Sequence, residues 1–192
     1  MLLEQPITFN HLDTDQTTEK RLIESAQNDP RNFRPLYDRH YKEIFYFILN
    51  KTNNGELAAD ICSQVFLRAL ENIQSFEYRG LPFSTWLYRI AINECNQYFR
   101  KNAKLRHVVL DEQFIESLFV ELEDDSGYYE AMVPMLKKAI QQLKPEDLTV
   151  IELRFFDQKP FKEIAQILEI TENNAKVKLY RALERLRKFI RK

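Results

Sequence analysis

The 192-residue chain predicts an all-α fold of two small helical domains joined by an acidic linker. Three observations lead there. Glycine occurs only at Gly55, Gly80 and Gly127, each in a break between periodic segments. Between the breaks Leu, Ile, Ala, Glu and Lys dominate, and apolar residues recur at helical spacing rather than in alternation. Charge is segregated: residues 31–104 carry eleven basic and seven acidic groups, 105–131 one and eight, and 132–192 fourteen and eight. The organisation read from this is a tail over 1–17, a domain over 18–104, a linker over 105–131 and a second domain over 132–192. The formal net charge of −1 hides two basic bodies, of +4 and +6. Because a Debye length is about 8 Å, each body presents its own field to a polyanion.

In the first domain the pattern predicts helices over 18–28, 33–51, 56–75 and 84–101. Tyr37, Tyr41, Ile44, Phe45 and Ile48 form one apolar stripe; Ala58, Ile61, Cys62, Val65, Ala69 and Ile73 form another. Asp60, Gln64 and Arg68 fall outside or at the edge of the second stripe, open to a partner or to plain solvation.

The fourth helix follows a loop marked by Gly80 and Pro82, with Ser84 placed to cap it. Trp86, Arg89, Asn93, Gln97 and Arg100 recur at spacings of 3, 4, 4 and 3, with Lys101 adjoining, while Leu87, Ile90, Ala91 and Tyr98 lie about a quarter turn away. One face can therefore stack, hydrogen-bond and neutralise phosphate while the other is buried. That combination suits single-stranded nucleic acid, where stacking tolerates any base and amides and guanidinium groups select edges and phosphates. A core tryptophan beside solvated arginines is the competing reading.

The acidic linker has weak helical periodicity and joins the bodies either as a plain spacer or as an imitation of a polyanion.

The second domain predicts helices over 133–143 and 146–156, with Pro145 in the first turn of the latter and Leu148, Ile151, Leu153 and Phe155 mostly core. A short helix over 161–168 follows Pro160; residues 169–171 make a tight break, and Thr171 caps a final helix. That helix sets Leu179, Leu183, Leu186 and Ile190 against Lys178, Arg181, Arg185, Lys188 and Lys192. A small Ala165 at the crossing and a basic last helix predict a helix-turn-helix. From Lys176 onward there are eight basic residues and one acid, Glu184. Asn173, Asn174 and Lys176 stand in the first turn, the part that enters a major groove, where Asn can bond adenine; the two Asn could equally serve the helix start.

Enzymatic chemistry finds little support. His11, His40 and His107 are scattered, without a carboxylate or thiol at metal-ligand spacing, so no catalytic residue, metal or cofactor is expected. Cys62 and Cys95 form no Cys-x-x-Cys pair and project toward core faces, as reduced thiols do. The longest apolar run, six residues at 44–49, is far short of the roughly 18 needed to span a bilayer, and the N-terminus has no basic leader. A cytoplasmic, soluble chain is expected.

Asp60-Ile61-Cys62-Ser63-Gln64-Val65-Phe66-Leu67-Arg68-Ala69, then Phe83-Ser84-Thr85-Trp86-Leu87-Tyr88-Arg89-Ile90-Ala91, then Glu163-Ile164-Ala165 and the run from Lys176 to Ala182 together resemble RNA polymerase sigma factors of the small extracytoplasmic-function (ECF) type. The chain departs from that pattern at Ser63-Gln64, Gln97, Glu169 (a common turn glycine) and Asn173-Asn174-Ala175. The resemblance implies a promoter-specificity subunit without catalysis of its own. Asp60, Gln64, Phe66 and Arg68 would grip core RNA polymerase. Trp86, Arg89, Asn93, Gln97, Arg100 and Lys101 would hold the opened minus-ten strand. Asn173, Asn174, Lys176, Lys178 and Arg181 would read the minus-thirty-five duplex. It also implies an anti-sigma factor as partner, of a kind often membrane-anchored, without membrane insertion of this chain. A stand-alone helix-turn-helix regulator with an N-terminal sensing or dimerisation domain is the alternative.

Overall fold

The computed structural model describes residues 11–102, 112–121 and 129–190. Among these residues every regular element is helical. In the first domain α1 (His11–Asn28), a 3-10 turn (Pro30–Phe33), α2 (Arg34–Thr52), α3 (Gly55–Asn72), a second 3-10 turn (Ile73–Ser75) and α4 (Phe83–Asn102) follow one another. Then come α5 (Glu112–Glu121), α6 (Tyr129–Gln141), α7 (Pro145–Ile151) running into a π-turn at Glu152–Phe156, α8 (Phe161–Ile167) and α9 (Glu172–Ile190).

Local chemistry sets these boundaries. Asn53 ends α2 in the left-handed conformation at φ 48°, its N–H donating to the Leu49 carbonyl, and Asn54 opens α3 by accepting from the Leu57 N–H. Ile44, Phe47 and Ile48 of α2 pack with Ile61, Cys62 and Val65 of α3 and with Leu87, Tyr88 and Ala91 of α4, all buried. Each large apolar side chain so buried stabilises the fold by about 1.5–3 kcal/mol. Burial pushes the Cys62 thiol up to about 12, and Cys62 and Cys95 are both buried and outside any disulfide, in keeping with thiols that project toward core faces.

Three expectations are corrected. First, α1 reaches back to His11, seven residues into the segment read as a tail. Second, Ser84 does not cap α4; it is buried inside the first turn, and the leading N–H, from Phe83, donates to Glu19 Oε2 at 2.8 Å. A carboxylate from a distant helix serves this terminus better than a hydroxyl because it also meets the positive end of the helix dipole. Third, the segment over 146–156 is not one α-helix: it widens into the π-turn, where the Asp157 N–H bonds the Glu152 carbonyl at 3.0 Å.

The linker contains a docked helix. Phe114, Ile115 and Leu118 of α5 are buried, and Phe114 meets Phe156 at 6.1 Å. The rest of the linker, over 105–111 and 122–128, lies outside the described residues, as do Gly127 and His107.

The two domains pack on each other through polar pairs. Lys51 of α2 meets Glu152 with both side chains buried; Lys159 meets Glu43 at 2.7 Å; Tyr88 donates to Asp157 at 3.1 Å; Arg89 meets Glu169 at 2.8 Å. Lys159 also lies over the Tyr88 ring, 4.5 Å from its centre.

Candidate nucleic-acid interfaces

The start of α4 is fixed by a buried relay. Glu19, which holds the Phe83 N–H, also bonds His40 Nε2 at 3.1 Å. Burial alone would lower the His40 pKa, but Glu19 and Glu43 outweigh it and leave the ring more basic than usual. Glu43 carries the converse: burial would raise it, yet His40 and Lys159 bring it down to about 2.

Trp86 is half-buried, tilted on Phe76 at 4.9 Å and edge-on to Phe83 at 5.5 Å. It is partly a core aromatic and partly a wall of an open recess of about 320 Å³, which Arg79, Leu81, Thr85 and Arg89 also line. Thr85 is buried, and its hydroxyl has no hydrogen-bond partner in the structure. Further along α4, Asn93, Gln97 and Arg100 line a second recess of about 330 Å³ with Arg68. Lys101 and Gln97 border a third, with Asp60 and Gln64 on its far side. The predicted stripe is thus brought together along one helix but divided between recesses.

Asp60 and Gln64 are exposed; Arg68 is exposed and pairs with Glu94 at 2.8 Å. Phe66 is only 4% exposed and lies beneath Tyr37, 4.8 Å between ring centres, so it supports that surface from below. Sequence reasoning missed Arg79 because the loop before α4 has no periodicity to reveal what it turns inward, and Thr85 because it lies in the first turn of α4, off the predicted stripe.

In the second domain α8 and α9 meet at buried Ala165 and Ala175, as the helix-turn-helix pattern predicts. The Thr171 hydroxyl accepts from the Asn174 N–H at 3.2 Å, so Thr171 supplies the cap and leaves both Asn side chains exposed. Asn174, Val177, Lys178 and Arg181 line an open groove of about 320 Å³ on α9. Lys178 lies 3.7 Å from Glu146, and Lys176 is paired with Glu172 at 2.9 Å. Between the helices the Ile170 N–H bonds the Ala165 carbonyl and the Glu169 N–H that of Gln166, with Glu169 left-handed at φ 55°. This helix ending ordinarily carries glycine, and a side chain there costs on the order of 1–2 kcal/mol.

Two family descriptions match the chain in this order: Sigma-70 region 2 over residues 36–105 and Sigma-70, region 4 over residues 135–186. The chain belongs to the sigma-70 family. It is 28% identical over 180 residues to the ECF RNA polymerase sigma factor BldN of Streptomyces coelicolor, covering 93% of this chain and 68% of that one. It is 29% identical over 181 residues to the ECF RNA polymerase sigma factor SigW of Bacillus subtilis, covering 90% of this chain and 96% of that one. The solved structure of the sigma factor RpoE in complex with the anti-sigma factor NepR from Bartonella quintana matches at TM-score 0.54 and 18% identity, over 84% of this chain and 98% of that chain, a likeness of fold. This sigma factor is of the ECF type; it binds core RNA polymerase and directs initiation at promoters, and the stand-alone regulator is not favoured. Among the described residues no helix is long and apolar enough to cross a membrane, and no metal-ligating cluster occurs.

Proposed function

We propose that this sigma factor captures the opened minus-ten strand along α4 and docks α9 in the minus-thirty-five duplex, with domains running over 18–104 and 132–192. The observation that carries the reading is the recess beside Trp86, lined by that aromatic wall and by Arg79 and Arg89. A space of about 320 Å³ accepts an extruded base, which stacks on Trp86 and leaves its phosphate to Arg89. Asn93, Gln97, Arg100 and Lys101 follow the strand beyond it. Asp60, Gln64 and Arg68, supported by Phe66, face core polymerase. On α9, Asn173 and Asn174 meet base edges, while Lys176, Lys178 and Arg181 meet phosphates or edges.

Catalysis belongs to the polymerase, the chain works in the cytoplasm without metal or cofactor, and an anti-sigma factor holds it inactive. The test is open-complex formation with purified core enzyme. The wild-type chain is expected to form a stoichiometric complex and open promoters selected from a genomic library. Trp86→Ala is expected to lose about tenfold or more in open complexes, the scale of one lost base–aromatic stack. No complex with core enzyme, or full activity of W86A, overturns the reading.

A further inference from the structure

We propose that α1 clamps the loop that walls the Trp86 recess, with Glu19 and Gln27 as positioning residues for capture of the minus-ten strand. This role rests on the assignment of the recess to the opened strand. The loop runs from the second 3-10 turn to α4, and α1 holds both of its ends. At the entrance Gln27 Nε2 donates to the carbonyls of Ile73 at 3.0 Å and Phe76 at 2.7 Å, while the Gln74 amide donates back to the Gln27 carbonyl. At the exit Glu19 Oε2 accepts from the Phe83 N–H at 2.8 Å. The two side chains stand about 12 Å apart along the axis of α1 and within about a quarter turn of each other, so one helix reaches both ends at once.

The loop is closed far below its reach. Phe76 and Phe83 meet ring to ring at 5.2 Å, whereas the chain between them would span about 23 Å if extended. The backbone bonds that border it run from the Phe76 N–H to the Ile73 carbonyl and from the Thr85 N–H to the Pro82 carbonyl, so main-chain bonding within the loop does not account for the closure. Both pins bear on Trp86. It packs on Phe76 at 4.9 Å and on Phe83 at 5.5 Å, the two residues whose main chains α1 holds. Arg79 and Leu81 of the same loop line the recess opposite this aromatic wall, so releasing either end changes the width of the space offered to a base. The base of the clamp is firm: Ile23 and Ala26, between the pins, are buried, and the second Glu19 oxygen is held by His40 Nε2 at 3.1 Å. Glu19 and Gln27 both precede residue 36, where the match to Sigma-70 region 2 begins, so the clamp reaches into the matched segment from outside it.

The experiment uses the full chain with purified core enzyme. Core affinity, open-complex yield on the selected promoters and acrylamide quenching of the free chain's sole tryptophan, Trp86, are measured on wild type, Glu19→Leu, Glu19→Gln, Gln27→Met, the double variant E19L/Q27M and the control Glu24→Gln, an exposed position on α1. E19L and Q27M are each expected to lose about fivefold in open complexes, the scale of one hydrogen bond, to steepen quenching and to leave core affinity within about twofold of wild type. E19Q keeps a carbonyl oxygen for the Phe83 N–H and is expected to open promoters as wild type does, as is E24Q. Because releasing either end frees the loop, the double variant is expected to lose little more than the worse single one. Core affinity that falls in step with open-complex yield marks a role in folding alone and overturns the clamp, as do losses that multiply in the double variant or an E19Q as deficient as E19L. Trp86→Ala keeps the two readings apart. If W86A loses open complexes while E19L and Q27M match wild type, the strand assignment stands and the clamp falls. If W86A opens promoters fully, the strand assignment falls, and the part of α1 in strand capture falls with it.

Discussion

Tyr88 donates its phenolic hydroxyl to Asp157 Oδ1 at 3.1 Å, joining the middle of α4 to the end of the π-turn in the other domain. Tyr88 is 1% exposed and packs edge-on to Phe47 at 4.7 Å, while the second Asp157 oxygen is buried without a partner. Tyr88→Phe keeps the ring and leaves the carboxyl with neither oxygen bonded by the phenol. The expected cost is about 1–3 kcal/mol, the penalty for a buried polar group stripped of its partner. Thermal unfolding should show the loss, and a Y88F melting curve identical to wild type would mean that the bond contributes nothing.

The same seam predicts a pH dependence. Burial raises Asp157 to about 7 from an ordinary 3.8, with Tyr88, Lys51 and Lys159 opposing and Glu152 adding. Its folded form therefore holds the proton longer than the unfolded one, so stability is lost as pH rises from about 4 through 7. His40, raised above 6.5, acts in the same sense: its contribution is complete below that value and lost as pH climbs through the folded one. Glu43, at about 2 against 4.5, contributes above 4.5 and loses that only in acid, so it is constant over the neutral range. The seam should loosen from pH 5.5 to 8, read as increasing acrylamide access to Trp86, and Asp157→Asn should flatten the profile. Access that falls with rising pH contradicts this account.

Much of the fold was legible because helical periodicity and breaks are local properties. The stripe through Ile61 and the Thr171 cap needed only neighbouring residues, and the structure contains both; of the stripe through Ile44, Ile44 and Ile48 are buried while Tyr37 is exposed, because α2 turns Leu36 and Phe47 inward instead. What escaped was long-range. Glu19 caps α4 from 64 residues away, and no local rule distinguishes that carboxylate from other surface acids. The docking of the domains was equally hidden, since Lys51, Glu152, Asp157 and Glu169 look like solvated charges in a linear reading. Of the candidate site, the α4 stripe was readable from its spacing, but Arg79 belongs to an irregular loop and Thr85 to the first turn of α4, off that stripe.

Lys51 and Glu152 form a buried pair, with side chains 5% and 9% exposed, and the ammonium also lies 4.9 Å from the centre of the Phe47 ring. Removing one partner strands the other, so Lys51→Met should destabilise by about 3–5 kcal/mol. Replacing both with apolar residues removes the stranded charge, and the double variant K51M/E152L should recover most of that loss. Urea titrations of the three proteins decide it: a double variant no more stable than K51M shows that geometry, not the uncompensated carboxylate, sets the cost.

On α9 the exposed guanidinium of Arg181 shares a groove with Lys178, whose charge is partly answered by Glu146 at 3.7 Å. Duplex binding must draw Lys178 away from that carboxylate, whereas Arg181 can meet a phosphate directly. Arg181→Ala should therefore weaken promoter duplex binding and reduce the slope of log affinity against log salt by about 1, one phosphate contact's worth of released counterion. Glu146→Gln should act oppositely in affinity, because it frees Lys178 in advance. Fluorescence anisotropy across a salt series with the core-bound sigma factor separates the two effects, and an R181A slope equal to wild type would place Arg181 off the phosphate backbone.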